Sequence, residues 1–246
     1  VIAANHNDIG IDGIAPEATL VSIKALNESD LLYPEALVCA YEWATTHQVD
    51  IVHNSYQMDP WVYWNPTDPE QAAALEAAER AIHRAQSSGL AVIAGAGDRG
   101  VDIYHPTTDS DSPTDSTPIP NRSVEGARMV PAQVSGVVTV SSVGMEDWNA
   151  EPLRATLMRA ERSNYGASVD FAAPGEWIYS TYPNGRIPQI YGYTSGTTLA
   201  AAHVSGIATL VKSVHPTLPG AQIISIMRKQ AAYEYGRLKA PSDGAE

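Results

Sequence analysis

"YGYTSGTTLAAAHVSGIATLVKSVHP", residues 191–216, runs from a glycine-containing turn into a long apolar stretch with two threonines at its start. In its centre, "AAAHVSGIATLV", a helix would carry apolar or small residues on every side, which predicts a helix in the protein interior. The hydroxyl of Thr198 would then lie among the unpaired backbone N–H groups of a helix N-terminus. A hydroxyl there either caps the helix or takes part in chemistry, and its position leaves both roles open.

Outward from this helix, short β-branched apolar runs alternate with helical patterns. The runs at 19–26, 49–55, 89–97 and 136–144 are typical of strands buried on both faces, and helical patterns at 33–47 and 68–89 separate the first three. This order predicts an α/β fold with a mainly parallel sheet. A stretch rich in Pro, Ser, Thr and Asp follows at 105–123, and we expect a surface loop insertion over 105–131.

Length and charge restrict the classes of function. The 246 residues suit a single domain, 1–246, and 15 basic against 28 acidic residues give a net charge of −13, which disfavours nucleic acid and anionic membranes as partners. No run of 18 apolar residues occurs, so no membrane helix is predicted. The single cysteine, Cys39, can form no disulfide within the chain. Because the chain begins at Val1 rather than Met, we interpret it as a processed or truncated product.

The helix motif resembles that of a known enzyme family. "GTTLAAAHVSGIATL" is similar to the nucleophile motif of the subtilases, the subtilisin-like serine peptidases, and further similarities follow in the family's order: "NDIGIDGIAPEATLVSIKAL" (7–26), "VDIVHNSY" (49–56), "AVIAGAGDRG" (91–100) and "SNYGASVDFAAPG" (163–175). These motifs are similar to those of secreted actinobacterial members of the family. The resemblance implies a subtilisin-like three-layer sandwich with a mainly parallel sheet, and an extracellular location.

Two site residues depart from what the resemblance implies. The family's nucleophilic serine falls on Thr198, whose additional methyl group fixes χ1 and crowds a site shaped for serine. The asparagine that donates to the oxyanion falls on Asp98. In subtilisin, removing that donor lowers turnover about 10²–10³-fold, and an ionised aspartate brings a negative charge instead. Some subtilases tolerate aspartate at this position.

The family's catalytic aspartate and histidine would precede Val1. Six of the seven histidines match no catalytic position, His203 belongs to the structural part of the helix motif, and His53 ends a strand beside the groove. Two functions follow from this reading: a pseudo-peptidase that binds peptide or a partner subunit, and a serine-type endopeptidase whose aspartate and histidine come from another chain or a cleaved N-terminal fragment. A third possibility is that the chain is a recombinant fragment whose ends were chosen for convenience. We expect an N-terminally incomplete domain whose open sheet edge is covered by a second polypeptide or a retained N-terminal fragment.

The resemblance also implies a peptide groove and a metal loop. The groove positions are Ser55, Tyr56, Gln57, Gly95, Ala96 and Gly97, where an extended peptide adds as a strand, and Gln57 replaces a usual glycine, so one rim is expected to be crowded. The segment "NHNDIGI" (5–11) is similar to the family's calcium loop. The Asn7 side chain and the carbonyls of Asn5, Ile9 and Ile11 would be the ligands of Ca²⁺, which takes oxygen donors. No cofactor is required for the chemistry.

Overall fold

The computed structural model describes residues 1–145, 157–182 and 191–234, so parts of the predicted domain 1–246 lie outside the described residues. Helices and strands alternate in the first half of the chain, as the sequence predicts. In chain order the elements are α1 (Pro34–Thr46), β1 (Ile51–Asn54), α2 (Pro69–Ser87), β2 (Ala91–Gly95), β3 (Thr108–Asp109), β4 (Arg122–Ser123), β5 (Val138–Met145), β6 (Leu157–Arg159), β7 (Phe171–Pro174), β8 (Ile178–Thr181), β9 (Tyr191–Thr194), α3 (Thr197–Val214) and α4 (Gly220–Glu234).

The central sheet is mainly parallel. Strand β1 pairs with β2, β2 with β5, and β5 with β7, all in parallel, whereas β6 runs antiparallel along the end of β5. The register places Ile51 beside Ala91 and Ile93 beside Val138. The expected α/β architecture is therefore confirmed.

Helices cover both faces of this sheet. Along β2, Val92 and Ala94 belong to the apolar cluster that includes α1 and α2, whereas Ala91 and Ile93 belong to the cluster that includes α3 and α4. This alternation is the two-residue period of a strand, and it gives three layers. Helix α2 begins where the sequence indicates: the Asp68 side chain accepts a hydrogen bond from the Glu70 N–H at 2.9 Å, and Pro69 occupies the first turn.

The segment 19–26, predicted to be a strand, is not one. It lies across a cavity of about 600 Å³ from β1, and its apolar side chains Leu20 and Val21 are 65% and 55% exposed. A β-branched pattern favours a strand only where a neighbouring strand supplies hydrogen-bond partners. Among the described residues, β1 pairs with β2 alone, so the outer edge of β1 faces this cavity.

Two other predictions need correction. Helix α3 is buried through Ala200, Ala201 and Val204, but Ile207 and Leu210 are 44% and 43% exposed, so it is not an interior helix on every side. The loop over 105–131 is not at the surface throughout, because its last part returns to the core through Val124 and Val130.

Candidate active site

Three chain segments meet at the carboxyl ends of β1 and β2, beside the first turn of α3. Together with parts of neighbouring loops they line a groove of about 450 Å³. Of the residues predicted from sequence, the lining includes Ser55, Tyr56, Gln57, Gly95, Gly97, Asp98 and Thr198. Ala96 does not line the groove: its side chain is fully buried and its N–H donates to the Val140 carbonyl at 2.8 Å.

A close backbone approach brings α3 to this edge of the sheet. A Cβ atom on Gly95 would lie 2.9 Å from the Thr197 Oγ1 atom, so only glycine lets the helix start pack directly on the end of β2. Gly97 has a φ of +97°, and a Cβ there would lie 2.6 Å from the Asn164 amide nitrogen. The "GAG" sequence at 95–97 is thus explained by packing as well as by ligand access.

The mouth of α3 is occupied by a carboxylate. Asp98 Oδ1 accepts a hydrogen bond from the Thr197 N–H at 2.8 Å, and Thr197 Oγ1 accepts one from the Gly97 N–H at 3.0 Å. The positive end of a helix is a natural place for an anion, and here the protein supplies that anion itself. Two backbone donors at this edge are thereby already paired.

The Thr198 hydroxyl faces the groove without a partner among the described residues. Its side chain makes no hydrogen bond to any of them, so the first turn of α3 is capped by Asp98, and the capping role that the sequence left open for Thr198 is not observed. The histidine on the same helix, His203, contacts the Leu199 carbonyl through Nδ1 at 2.8 Å. A hydroxyl needs a base to act as a nucleophile near neutral pH, and no described histidine is hydrogen-bonded to Thr198.

Asn164, which the sequence analysis did not single out, fixes the loop that carries Asp98. Its side chain is fully buried, and its Oδ1 atom accepts from the N–H groups of Arg99 and Val101 at 3.0 and 3.2 Å. Its Nδ2 atom donates to the Ala96 carbonyl at 2.8 Å. An asparagine immediately before Tyr-Gly in a resembling motif was the available signal, but its partners lie 63 to 68 residues away in sequence.

One rim of the groove is closed by a polar bridge. Arg99 donates through Nη1 to Gln57 Oε1 at 3.1 Å and through Nε to Asp111 Oδ2 at 2.8 Å. The first contact joins the segment after β1 to the segment after β2. Gln57 therefore does narrow the rim where a glycine would leave it open.

The end of β1 is held by a buried amide. Asn54 Oδ1 accepts from the hydroxyl groups of Tyr41 and Tyr56 at 2.9 and 2.6 Å, and its Nδ2 donates to the Ile93 carbonyl at 2.9 Å. Burial raises the pKa of both tyrosine hydroxyls, so they stay protonated and act as donors. This network fixes the direction in which the chain leaves β1 and enters the groove.

His53 is the one histidine with a large pKa shift. Burial lowers the pKa of its imidazole from 6.5 to about 4, because the charged form loses its hydration. The Nε2 atom lies 2.6 Å from Ser55 Oγ, and Nδ1 lies 3.1 Å from Ser205 Oγ. The ring is therefore neutral at pH 7 and hydrogen-bonded on both sides.

This shift predicts how stability depends on pH. Between pH 6.5 and about 4 the unfolded chain binds a proton at His53 that the folded chain does not, so this residue's contribution to stability is lost as the pH falls through that window. We expect the His53 ring to titrate near pH 4 in an NMR experiment. The drop in melting temperature from pH 7 to pH 4 should be smaller in His53→Gln. The exposed His215 serves as control: its replacement should leave the drop unchanged.

Two oxygens of the predicted calcium loop accept hydrogen bonds from the protein itself. Asn7 Oδ1 accepts from the Ile9 N–H at 3.2 Å, and the Ile9 carbonyl accepts from the Tyr191 hydroxyl at 3.3 Å. His6 and Asp12 pair with each other at 2.8 Å. Within the described residues, no cluster of three or more His, Cys, Asp or Glu could hold a metal ion. Amide and carbonyl oxygens are not among those ligand types, so the Ca²⁺ site over Asn5, Asn7, Ile9 and Ile11 stays a prediction, and no step of the function rests on it.

Comparison with known proteins gives a consistent result. The sequence profile described as the subtilase family matches residues 1–243. Subtilisin DY from Bacillus licheniformis is 30% identical over 222 residues, which are 90% of this chain and 64% of that protein. Subtilisin E from Bacillus subtilis (strain 168) is 29% identical over 232 residues, 94% of this chain and 49% of that protein. The chain thus spans 49% to 64% of the length of these relatives.

Solved structures agree with this similarity. A crystal structure of a lanthipeptide protease superposes with a TM-score of 0.67 at 25% identity, over 91% of this chain and 66% of that one. A cold-adapted subtilisin-like serine proteinase gives a TM-score of 0.65 at 21% identity, over 93% of this chain and 66% of that one, and supports the fold alone. No helix in the described part of the chain is both long and apolar enough to cross a membrane.

Proposed function

This chain belongs to the subtilase family, and we propose that it is a member that keeps the peptide groove but cleaves peptides poorly or not at all. The observation that carries this proposal is the hydrogen bond from the Thr197 N–H to Asp98 Oδ1. An oxyanion formed at the helix mouth would meet the carboxylate of Asp98, which already accepts the hydrogen bond of the Thr197 N–H. Charge repulsion would then replace stabilisation of the oxyanion. Thr198 adds a second obstacle, since its hydroxyl has no base among the described residues.

Peptide binding does not depend on those groups. An extended peptide is recognised mainly through backbone hydrogen bonds and pockets for alternate side chains. The groove of about 450 Å³ lies between Ser55–Gln57 on one side and Gly95 and Gly97 on the other, and it offers space for a side chain beside the backbone of both segments. The ligand class we propose is therefore an extended, unstructured peptide segment.

A second polypeptide belongs to this proposal. The outer edge of β1 faces the cavity of about 600 Å³, and the exposed apolar side chains of Leu20 and Val21 lie on its other side. An unpaired strand edge next to apolar surface is normally covered in proteins. We propose that another chain, or a retained N-terminal fragment, places a strand there, and native mass spectrometry of the purified protein would detect it as added mass.

The alternative function is a serine-type endopeptidase in which that second polypeptide brings the aspartate and the histidine. The observation in its favour is the Thr198 hydroxyl, which lies at the helix mouth and faces the groove. Thr198 would then be the nucleophile. An extracellular location is proposed from the family resemblance alone.

Replacing Gln57 with glycine tests the groove. The change removes the side chain that Arg99 holds across the rim, so we expect an unstructured fluorescent peptide to bind about tenfold more tightly, equal to about 1.4 kcal/mol. Fluorescence anisotropy titration measures this. Gln48→Gly is the matched control, because Gln48 is exposed, has a φ of 54° that glycine accepts, and lies outside the groove. Equal affinities for all three proteins would argue against peptide binding at this site.

A further inference from the structure

A second hydroxyl in the groove has what Thr198 lacks, a neighbouring base. Ser55 is exposed, lines the groove together with Asp98 and Thr198, and its Oγ atom lies 2.6 Å from His53 Nε2. His53 lies near the end of β1 and Ser55 directly follows the strand, and the 2.6 Å contact shows that the two side chains meet. A serine and a histidine at hydrogen-bond distance form the first half of an activated nucleophile.

The tautomer of His53 is assigned from the hydrogen bonds around the ring. Ser205, on the buried side of α3, donates its hydroxyl hydrogen to the Ala201 carbonyl at 2.8 Å. Its oxygen can therefore only accept from His53, so Nδ1 carries the hydrogen in the contact of 3.1 Å. His53 Nε2 is then unprotonated and accepts the hydrogen of Ser55. The imidazole is a proton acceptor aimed at Ser55.

We propose that Ser55 is a nucleophile in this groove, with His53 as its general base and Ser205 as the residue that positions the ring. Ser55 Oγ attacks the acyl or phosphonyl centre of a neutral activated electrophile, and its proton passes to His53 Nε2. The bond to the leaving group breaks, and the leaving group departs with that proton or as an anion. The product is a Ser55 ester or phosphonate together with the released leaving group.

The charged and polar groups around Ser55 and His53 determine which electrophile can react and how fast. A carboxylate, that of Asp98, lines the same groove, so a neutral electrophile enters more easily than an anionic one. Ser205 is a hydroxyl and not a carboxylate, so it orients the ring without stabilising an imidazolium. Burial keeps His53 in its accepting form at neutral pH but makes it a weak base. The expected outcome is a single slow modification of Ser55 per chain rather than repeated turnover.

Labelling with a neutral fluorophosphonate tests this proposal. The purified protein, with any polypeptide that accompanies it, is incubated at pH 7.5, and the modified residue is located by peptide mass spectrometry. We expect one adduct per chain, on Ser55, and none in Ser55→Ala. In His53→Gln the rate should fall by roughly 10²-fold, the usual contribution of a general base. His215→Gln, at an exposed histidine, should label like the unaltered protein.

The positioning role of Ser205 is tested with a measurement that a purely structural role would leave unchanged. In Ser205→Ala, the ¹⁵N shifts of the His53 ring should report a change of tautomer along with slower labelling. If His53→Gln does not fold, His53→Asn and the site of labelling in the unaltered protein decide the question. No adduct on the folded protein, an adduct on Thr198 only, or an adduct on Ser55 whose rate ignores the change at His53 would overturn the proposal. An adduct on Thr198 would also contradict the impaired cleavage proposed above. The absence of an adduct on both Ser55 and Thr198 would leave that proposal standing.

Discussion

Replacing Asn164 with alanine is expected to lower the free energy of unfolding by roughly 3 kcal/mol or more. The buried amide satisfies the N–H groups of Arg99 and Val101 and the carbonyl of Ala96, and alanine leaves all three without that partner. The bond to the Ala96 carbonyl is buried and those from the two N–H groups are partly buried, and an unpaired buried polar group costs about 1–3 kcal/mol. Urea unfolding followed by circular dichroism measures the loss. Because the same loop carries Asp98, peptide affinity should fall as well.

Asn27 provides a matched control. Its Oδ1 atom also accepts from two backbone N–H groups, those of Ser29 and Leu31 at 2.9 and 3.0 Å, but in an exposed turn. Water replaces the amide there, so Asn27→Ala should cost about 1 kcal/mol or less. Similar losses in both variants would show that Asn164 does not hold the loop in the way described.

The double variant Thr198→Ser with Asp98→Asn is expected to raise peptide cleavage by at least roughly 10³-fold when a second polypeptide supplies the aspartate and the histidine. The asparagine amide would donate where the aspartate carboxylate repels, a change that by itself is worth about 10²–10³-fold. The serine would remove the methyl group that crowds the nucleophile. Asparagine caps a helix about as well as aspartate, so α3 should stay folded. The measurement is kcat on an unstructured fluorogenic peptide.

The single variants separate the two causes. Asp98→Asn alone and Thr198→Ser alone should each recover only part of the activity, because nucleophile and oxyanion donor act in the same step. A double variant no faster than the unaltered protein, assayed with a partner shown to carry the histidine, would contradict the roles assigned to Thr198 and Asp98.

The fold could be predicted where local pattern and pairing agree. The runs that became β1, β2 and β5 have strand neighbours in the sheet, and the two helical patterns became α1 and α2. The run at 19–26 has the same β-branched pattern but no pairing partner within residues 1–145, 157–182 and 191–234, and the pattern alone carries no information about a partner. The exposed side of α3 was missed for a similar reason, since its apolar residues would be covered only if something packed on Ile207 and Leu210.

The sequence predicted which residues belong to the site but not the hydrogen bonds between them. The groove residues and the positions of Thr198 and Asp98 followed from the resemblance, and all of them except Ala96 line one groove. That Asp98 rather than Thr198 caps α3 depends on a contact between residues 99 positions apart. The same is true of Asn164 and of the contact between His53 and Ser205, which are 152 positions apart. Such long-range contacts leave no periodic signal in a single sequence.

The most direct test of impaired cleavage follows binding and cleavage in one sample. A labelled unstructured peptide is incubated for a day with excess protein and any polypeptide that copurifies with it. Fluorescence anisotropy reports the fraction of peptide that is bound, and mass spectrometry reports whether the peptide keeps its full length. The account predicts that the peptide stays bound and intact, with the same result in Thr198→Ala. Cleavage by the unaltered protein that disappears in Thr198→Ala would contradict it and would make Thr198 a working nucleophile.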